Sequence, residues 1–305
     1  MAEKDWISKY FTPLATSGAR NMNDDAGMLA EPKVWQIATT DALVEEVHFL
    51  KSQPIASVAE KLVRVNVSDL LAKGAKPVEG LLTLGWPDNR SEEELAEFAA
   101  ALAADLLRYG IGLVGGDTVL SPTLFASLTL LGGPPVKNGQ PVWQQGAQIG
   151  DEVLLTGRIG GCVGLNDALS GRSTPARSHY FSPELPPPES AELISRFASA
   201  STDVSDGLFA DLLGILKQSN CGAEINLEAV RVWRETENRH DLVKQCTGGD
   251  DYQIVCTAEP EKAKSLVESE IFYSIGKITA VPNLVVRHHG DIINLPETLG
   301  FEHGH

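Results

Sequence analysis

Apolar residues fall into two rhythms along this chain. One is the short run or alternation of a strand, the other the three- and four-residue spacing of an amphipathic helix. Residues 34–38 form an apolar run that predicts a buried strand, and it ends in Thr39, Thr40 and Asp41. Alternation resumes through Leu43, Val44, Val47 and Phe49, with His48 among them. Residues 57–74 carry Val58, Leu62, Val65, Asp69 and Ala72 on one helical face, with Gly74 at the stop. A strand at 78–86 follows, then a helix capped by Ser91 that runs to about residue 108. Strands are predicted at 111–114 and 125–131.

Beyond a Gly, Pro and Gln-rich stretch near 134–150, the pattern predicts strands at 152–156, 223–227, 253–257, 272–278 and 284–287. Helices are predicted at 163–170, 189–197 and 260–269, and from Leu208 through Leu216. Residues 171–188, with five prolines, read as an irregular loop. The expected fold is α/β of the α+β type in two domains, 1–138 and 139–305, the first with a mixed sheet.

Acids recur at the joints of this pattern. Asp24, Asp25, Asp41, Asp69, Asp117, Asp203, Asp206, Asp250 and Asp251 all stand beside apolar runs or glycines. Asp69 lies inside the apolar face of its helix, where a carboxylate is costly unless paired or bound to a cation. Gathered carboxylates need a counter-ion, and hard oxygen donors suit Mg²⁺, which takes a few carboxylates together with substrate phosphates. Ser205 and Asp206 open a helix whose N–H groups are expected to be offered to phosphate. Gly110–Gly115 spells G-x-G-x-x-G but runs through a strand instead of opening a helix, and no P-loop occurs.

Composition narrows the functional classes. The formal charge of −16 argues against nucleic acid or an anionic membrane as partner. No run approaches the roughly 18 apolar residues of a membrane helix, and residues 1–11 lack a signal-peptide core. The four cysteines, Cys162, Cys221, Cys246 and Cys256, show no C-x-x-C spacing, which suits reduced thiols in a cytoplasmic protein.

An ordered set of motifs then carries a specific resemblance. Asn23-Asp-Asp-Ala26, Thr39-Thr-Asp-Ala-Leu-Val-Glu45, Val47-His-Phe49, Val65-Asn-Val-Ser-Asp-Leu70, Gly74-Ala-Lys-Pro77, Gly115-Gly-Asp-Thr118, Asp203-Val-Ser-Asp-Gly207, Gly248-Gly-Asp-Asp-Tyr252 and Ile275-Gly-Lys-Ile-Thr279 occur in the order seen in the thiamine-monophosphate kinase family. The resemblance implies ATP-dependent phosphorylation of thiamine monophosphate to thiamine diphosphate, in a homodimer whose N-terminal sheets pair. It implies Mg²⁺ ligands at Asp25, Thr39, Thr40, Asp41, Asp69, Asp117, Asp203 and Asp206. It further implies ATP contacts at Tyr109, Gly116, Asp117 and Ser205, and acceptor contacts at His48, Asp250 and Phe301. No side-chain nucleophile is expected.

The chain departs from the family pattern at several places. Asp250 stands where Glu is usual, Gln144 where an ATP-contacting Arg is typical, Glu46 for a glycine, Gly161 for a frequent Asp, and Phe301 for Trp or Tyr. Residues 181–186 lack the usual arginines. Two alternatives remain open at the level of sequence: another ATP-using member of the same superfamily, or a non-catalytic nucleotide-binding homologue.

Overall fold

The computed structural model describes residues 27–28 and 36–301. Asp24, Asp25 and residues 6–11, which the sequence suggests as a short amphipathic helix, lie outside the described residues. A first sheet has the order β1-β2-β5-β3-β4, built from β1 (Gly27–Met28), β2 (Ile37–Val44), β3 (Lys76–Trp86), β4 (Gly112–Leu120) and β5 (Phe125–Gly133). A second sheet has the order β12-β11-β8-β10-β6-β9-β7. Its strands are β6 (Glu152–Thr156), β7 (Ala200–Val204), β8 (Gly222–Asn226), β9 (Gln253–Ala258), β10 (Phe272–Thr279), β11 (Leu284–His288) and β12 (Asp291–Ile292). Two mixed sheets with helices around them agree with the fold class read from the sequence.

Helix α1 (Ile55–Ala72) lies between these layers, and fifteen of its eighteen residues are buried. A surface helix hides one stripe; this one has almost no solvent side. Its apolar residues share a core with Leu128 and Leu130 of β5 and with Leu154, Ile254 and Cys256 of β6 and β9. Val153, Leu155 and Val255, the alternate residues of those two strands, enter a second core on the far face. Burial on both faces explains why β6 and β9 read as unbroken apolar runs.

Helix α2 (Glu92–Tyr109) connects the parallel pair β3 and β4. Ser91 accepts from the Glu94 amide at 3.2 Å, while Glu94 accepts from the Ser91 amide at 3.0 Å. Gly110, at φ 69°, closes the helix. The remaining helices are α3 (Cys162–Leu169), α4 (Pro175–Phe181), α5 (Glu189–Phe197), α6 (Leu208–Ser219), α7 (Arg239–Cys246) and α8 (Pro260–Glu268).

Three sequence expectations need correction. First, the strand expected to end at Asp41 continues to Val44, because β5 pairs with it residue for residue from Gly132 to Phe125. Second, the strand expected at 111–114 runs on to Leu120, because β3 continues to pair as far as Trp86. Asp41 and Asp117 are therefore mid-strand residues, and not strand-end acids. Third, residues 171–188 are not all irregular. Thr174 caps α4 by accepting from the Arg177 amide at 3.1 Å, and Pro175 takes the first helical position, where a missing N–H costs nothing. Helix α7 gave too polar a pattern to be predicted.

Replacing Ser91 by Ala should cost about 1 kcal/mol in urea denaturation, whereas Asp at that position should retain the cap. An unchanged midpoint for the Ala variant would show that the capping box contributes nothing.

Candidate active site

Strand alternation decides which polar groups of β2 can work together. Thr39 is buried and donates through Oγ1 to Asp69 Oδ2 on α1. Thr40 lies on the opposite face, exposed, where Thr129 Oγ1 donates to its hydroxyl at 2.9 Å. The Asp41 amide, on the edge of β2 away from β5, donates to Asn66 Oδ1 at 3.0 Å. Asn66 is itself held by donating to the Leu62 carbonyl at 2.9 Å. A buried side-chain amide thus does for this edge what a further strand would have done.

The same helix reaches the second sheet. Ser68 Oγ donates to Asp203 Oδ2 of β7 at 3.0 Å, and Asp203 is 3% exposed. Consecutive residues Ser68 and Asp69 therefore serve different sheets. A cleft of about 380 Å³ opens where these elements meet, and Asp41, Asp69, Asp203, Asp206 and Asp250 all line it. Ser205, His48 and Phe301 line it as well. Thr39 adjoins it through Asp69.

The loop before α6 departs from expectation. The amides of Ser205, Asp206 and Gly207 all donate to Asp211 Oδ2, at 3.0, 3.1 and 3.1 Å. The helix start expected to offer these groups to phosphate has already given them to its own first-turn carboxylate. The loop lines the cleft through Ser205 and Asp206, with the Phe301 amide donating to the Asp206 carbonyl at 2.9 Å.

Asp250 and Asp251 separate in function. Asp251 is fully buried and its Oδ1 accepts from the Gly160 and Gly161 amides at 2.6 and 2.7 Å. Burial raises its carboxyl well above the usual range, against the pull of those two amides. Asp250, at φ 61°, turns its side chain to the cleft, where Tyr252 donates to Oδ1 at 3.0 Å. Burial first, then the nearby Asp250 and Asp41 carboxylates, push the Tyr252 hydroxyl well up, so it stays a donor. A Cβ at Gly161 would stand 1.9 Å from the Asp250 carbonyl, which accounts for glycine at that departure from the family pattern.

His179 of α4 supports the same loop from behind. Its Nδ1 accepts from the Glu184 amide at 3.0 Å, so the proton sits on Nε2 and is donated to the Asp250 carbonyl at 3.2 Å. Burial lowers its pKa to about 4.

Other expected residues stay outside the cleft. Tyr109 packs into the first core at the end of α2, with Arg108 over its ring. Gly116 and Asp117 lie exposed on β4, the outer strand of the first sheet. Gln144 donates to Thr202 Oγ1 at 3.2 Å and does not line the cleft. Lys61, which the sequence reading missed, does. It falls three residues after Val58 and four before Val65, so it belongs to the apolar stripe already drawn through α1. That misfit was the available signal.

The donor set is hard and anionic. Yet among the described residues no three His, Cys, Asp or Glu side chains are grouped closely enough to hold a metal ion by themselves. Such a set fits a cation that completes its shell with phosphate oxygens and water, as Mg²⁺ does. Among the described residues no helix is long and apolar enough to cross a membrane.

Comparison with known proteins agrees with this architecture. Residues 23–133 match the model of the AIR synthase related protein N-terminal domain, and residues 148–289 match that of the C-terminal domain. The chain is thus a two-domain AIR-synthase-related protein. It is 36% identical to the thiamine-monophosphate kinase of Caulobacter vibrioides, over 86% of this chain and 78% of that one. It is 32% identical to the one of Haemophilus influenzae, over 86% and 83%. The solved structure described as AaThiL complexed with AMPPCP and TMP aligns with a TM-score of 0.86 at 25% identity, covering 99% of this chain and 97% of that one. The chain belongs to the thiamine-monophosphate kinase family.

The depressed His179 pKa gives a pH signature. Below pH 6.5 the unfolded imidazole takes a proton that the folded one refuses, so stability is lost as pH falls toward 4. The stability advantage of the native protein over a His179→Gln variant should therefore shrink by roughly 3 kcal/mol across that range. Paired urea titrations at several pH values measure it, and a difference that does not move with pH would exclude a neutral buried imidazole.

Proposed function

We propose that the cleft transfers the γ-phosphoryl group of ATP to the phosphate of thiamine monophosphate, giving ADP and thiamine diphosphate. The observation that carries this reading is the convergence of Asp41, Asp69, Asp203 and Asp206, from both domains, on one cleft also lined by His48, Asp250 and Phe301. A phosphate oxygen of the acceptor forms the new P–O bond as the bond to the ADP oxygen breaks. That acceptor oxygen is already charged at neutral pH, so no side-chain base is required. Asp41, Asp69, Asp203 and Asp206, with Thr39 beside Asp69, would hold Mg²⁺. When bound, the metal neutralises the polyphosphate and the charge of the transferring group. His48 lines the cleft with its Nδ1 accepting from the Val44 amide at 3.0 Å, which places the ring proton on Nε2.

The homodimer belongs to the same reading. Val78, Leu81, Leu113, Val119 and Leu120 are large apolar residues left exposed on β3 and β4. Several large apolar residues left exposed on neighbouring strands suit an interface. A second copy covering it would enclose Thr40, Gly116 and Asp117, with Tyr109 at the head of β4, and so complete the nucleotide side of the site. Asp25, from the same motif set, is assigned with them to the metal. A cytoplasmic setting suits the four free thiols.

Purified protein with ATP, Mg²⁺ and thiamine monophosphate should release ADP and form thiamine diphosphate in equal amounts. Asp41→Asn keeps the side-chain shape but removes a charge, and should lower that rate by at least about a hundredfold; a near-native rate would count against charge neutralisation as the basis of the reaction. Light scattering should give a dimer mass. A Leu113→Asp and Leu120→Asp double variant should give monomers with little activity; a native protein that runs as a monomer at working activity would remove the second copy from the site.

A further inference from the structure

Among the described residues that line the cleft, Lys61 is the only lysine or arginine, against five aspartates. It is 1% exposed, and a buried ammonium is costly unless its hydrogens are engaged. Here they are. Nζ donates to Asp250 Oδ1 at 2.8 Å and to the His48 carbonyl at 3.4 Å, and stands 4.4 Å from the centroid of the Tyr180 ring. These partners come from three separate segments: the turn after β2, helix α4, and the loop before β9. The ammonium is therefore committed to the protein and is not a hook for a free phosphate.

The consequence lies at Asp250. Its Oδ1 receives both Lys61 and the Tyr252 hydroxyl, while its Oδ2 has no hydrogen-bond partner among the described residues. The side chain remains 28% exposed and lines the cleft. Its backbone is clamped as well, by the Ser205 carbonyl accepting from its amide at 2.9 Å and by His179.

We propose that Lys61 is a positioning residue for acceptor recognition. It ties the first domain's His48 turn to the second domain's Asp250, so that Asp250 presents Oδ2, and only Oδ2, to an N–H-bearing or cationic group on the non-phosphate end of the acceptor. The proposal rests on the kinase reading above and adds to it which residue fixes the acceptor's far end, and how that end is coupled across the domain junction.

Four proteins test it: native, Lys61→Met, Asp250→Asn and the double variant. Each is measured for KM toward both substrates, kcat, calorimetric affinity for thiamine monophosphate, and thermal midpoint. Lys61→Met should weaken thiamine monophosphate, by KM and by calorimetry, about tenfold or more, with KM for ATP within about twofold of native. Because the two residues act as one unit, the double variant should lose no more acceptor affinity than the worse single variant. Equal rises in both KM values, additive losses in the double variant, or a lowered thermal midpoint with native acceptor affinity would each overturn the proposal and leave Lys61 a structural ion pair. Native protein that neither binds nor converts thiamine monophosphate would overturn the functional reading and this proposal together; native turnover with an unaffected Lys61→Met variant would overturn this one alone.

Discussion

One helix with no outside governs this molecule. Helix α1 is packed against the first sheet on one side and the second on the other, so its sequence must satisfy two cores at once. Ile, Leu and Val do so over most of its length. Every polar residue admitted to such a place must be matched by a partner, because each unmatched group costs about as much as a core contact contributes. Asn66 is matched by the edge of β2, Ser68 by Asp203, Asp69 by Thr39, and Lys61 by Asp250. The site is the set of these matches.

This arrangement explains how functional groups from both halves of the chain meet in one cleft. Neighbouring residues on α1, Ser68 and Asp69, address different sheets. A shift of either sheet against the helix would break a buried hydrogen bond on that side. Arg64 adds a further brace, holding Asp105 of α2 through two hydrogen bonds at 2.6 and 3.2 Å. Exposed pairs such as Lys264 with Glu261 contribute little beside it, since water screens them.

Much of this was legible in the sequence. The rhythm of apolar positions located most strands and helices, and the family motifs named most residues that the cleft gathers. What pattern could not supply was partnership. Strand ends were misplaced at Asp41 and Asp117 because extent is set by the neighbouring strand, and the neighbour is distant in sequence. The prolines of 171–188 suggested disorder of pattern, but one of them starts a helix. The helix start at Ser205 and Asp206 reads as a phosphate cradle, since nothing local says that Asp211 folds back to occupy its N–H groups. Lys61 was passed over because a single lysine in an apolar stripe looks like noise until its counter-charge, far along the chain, is known.

Asp211 carries a consequence of its own. By taking up the three amides at the start of α6, it withholds them from the corner of the cleft that Asp206 lines, where carboxylates then outweigh donors from this loop. A naked polyanion approaching there meets like charge at every step. A guest that arrives already wrapped in divalent cations meets the opposite. On the kinase reading, this corner would favour a nucleotide that brings its own counter-ions over one that comes bare.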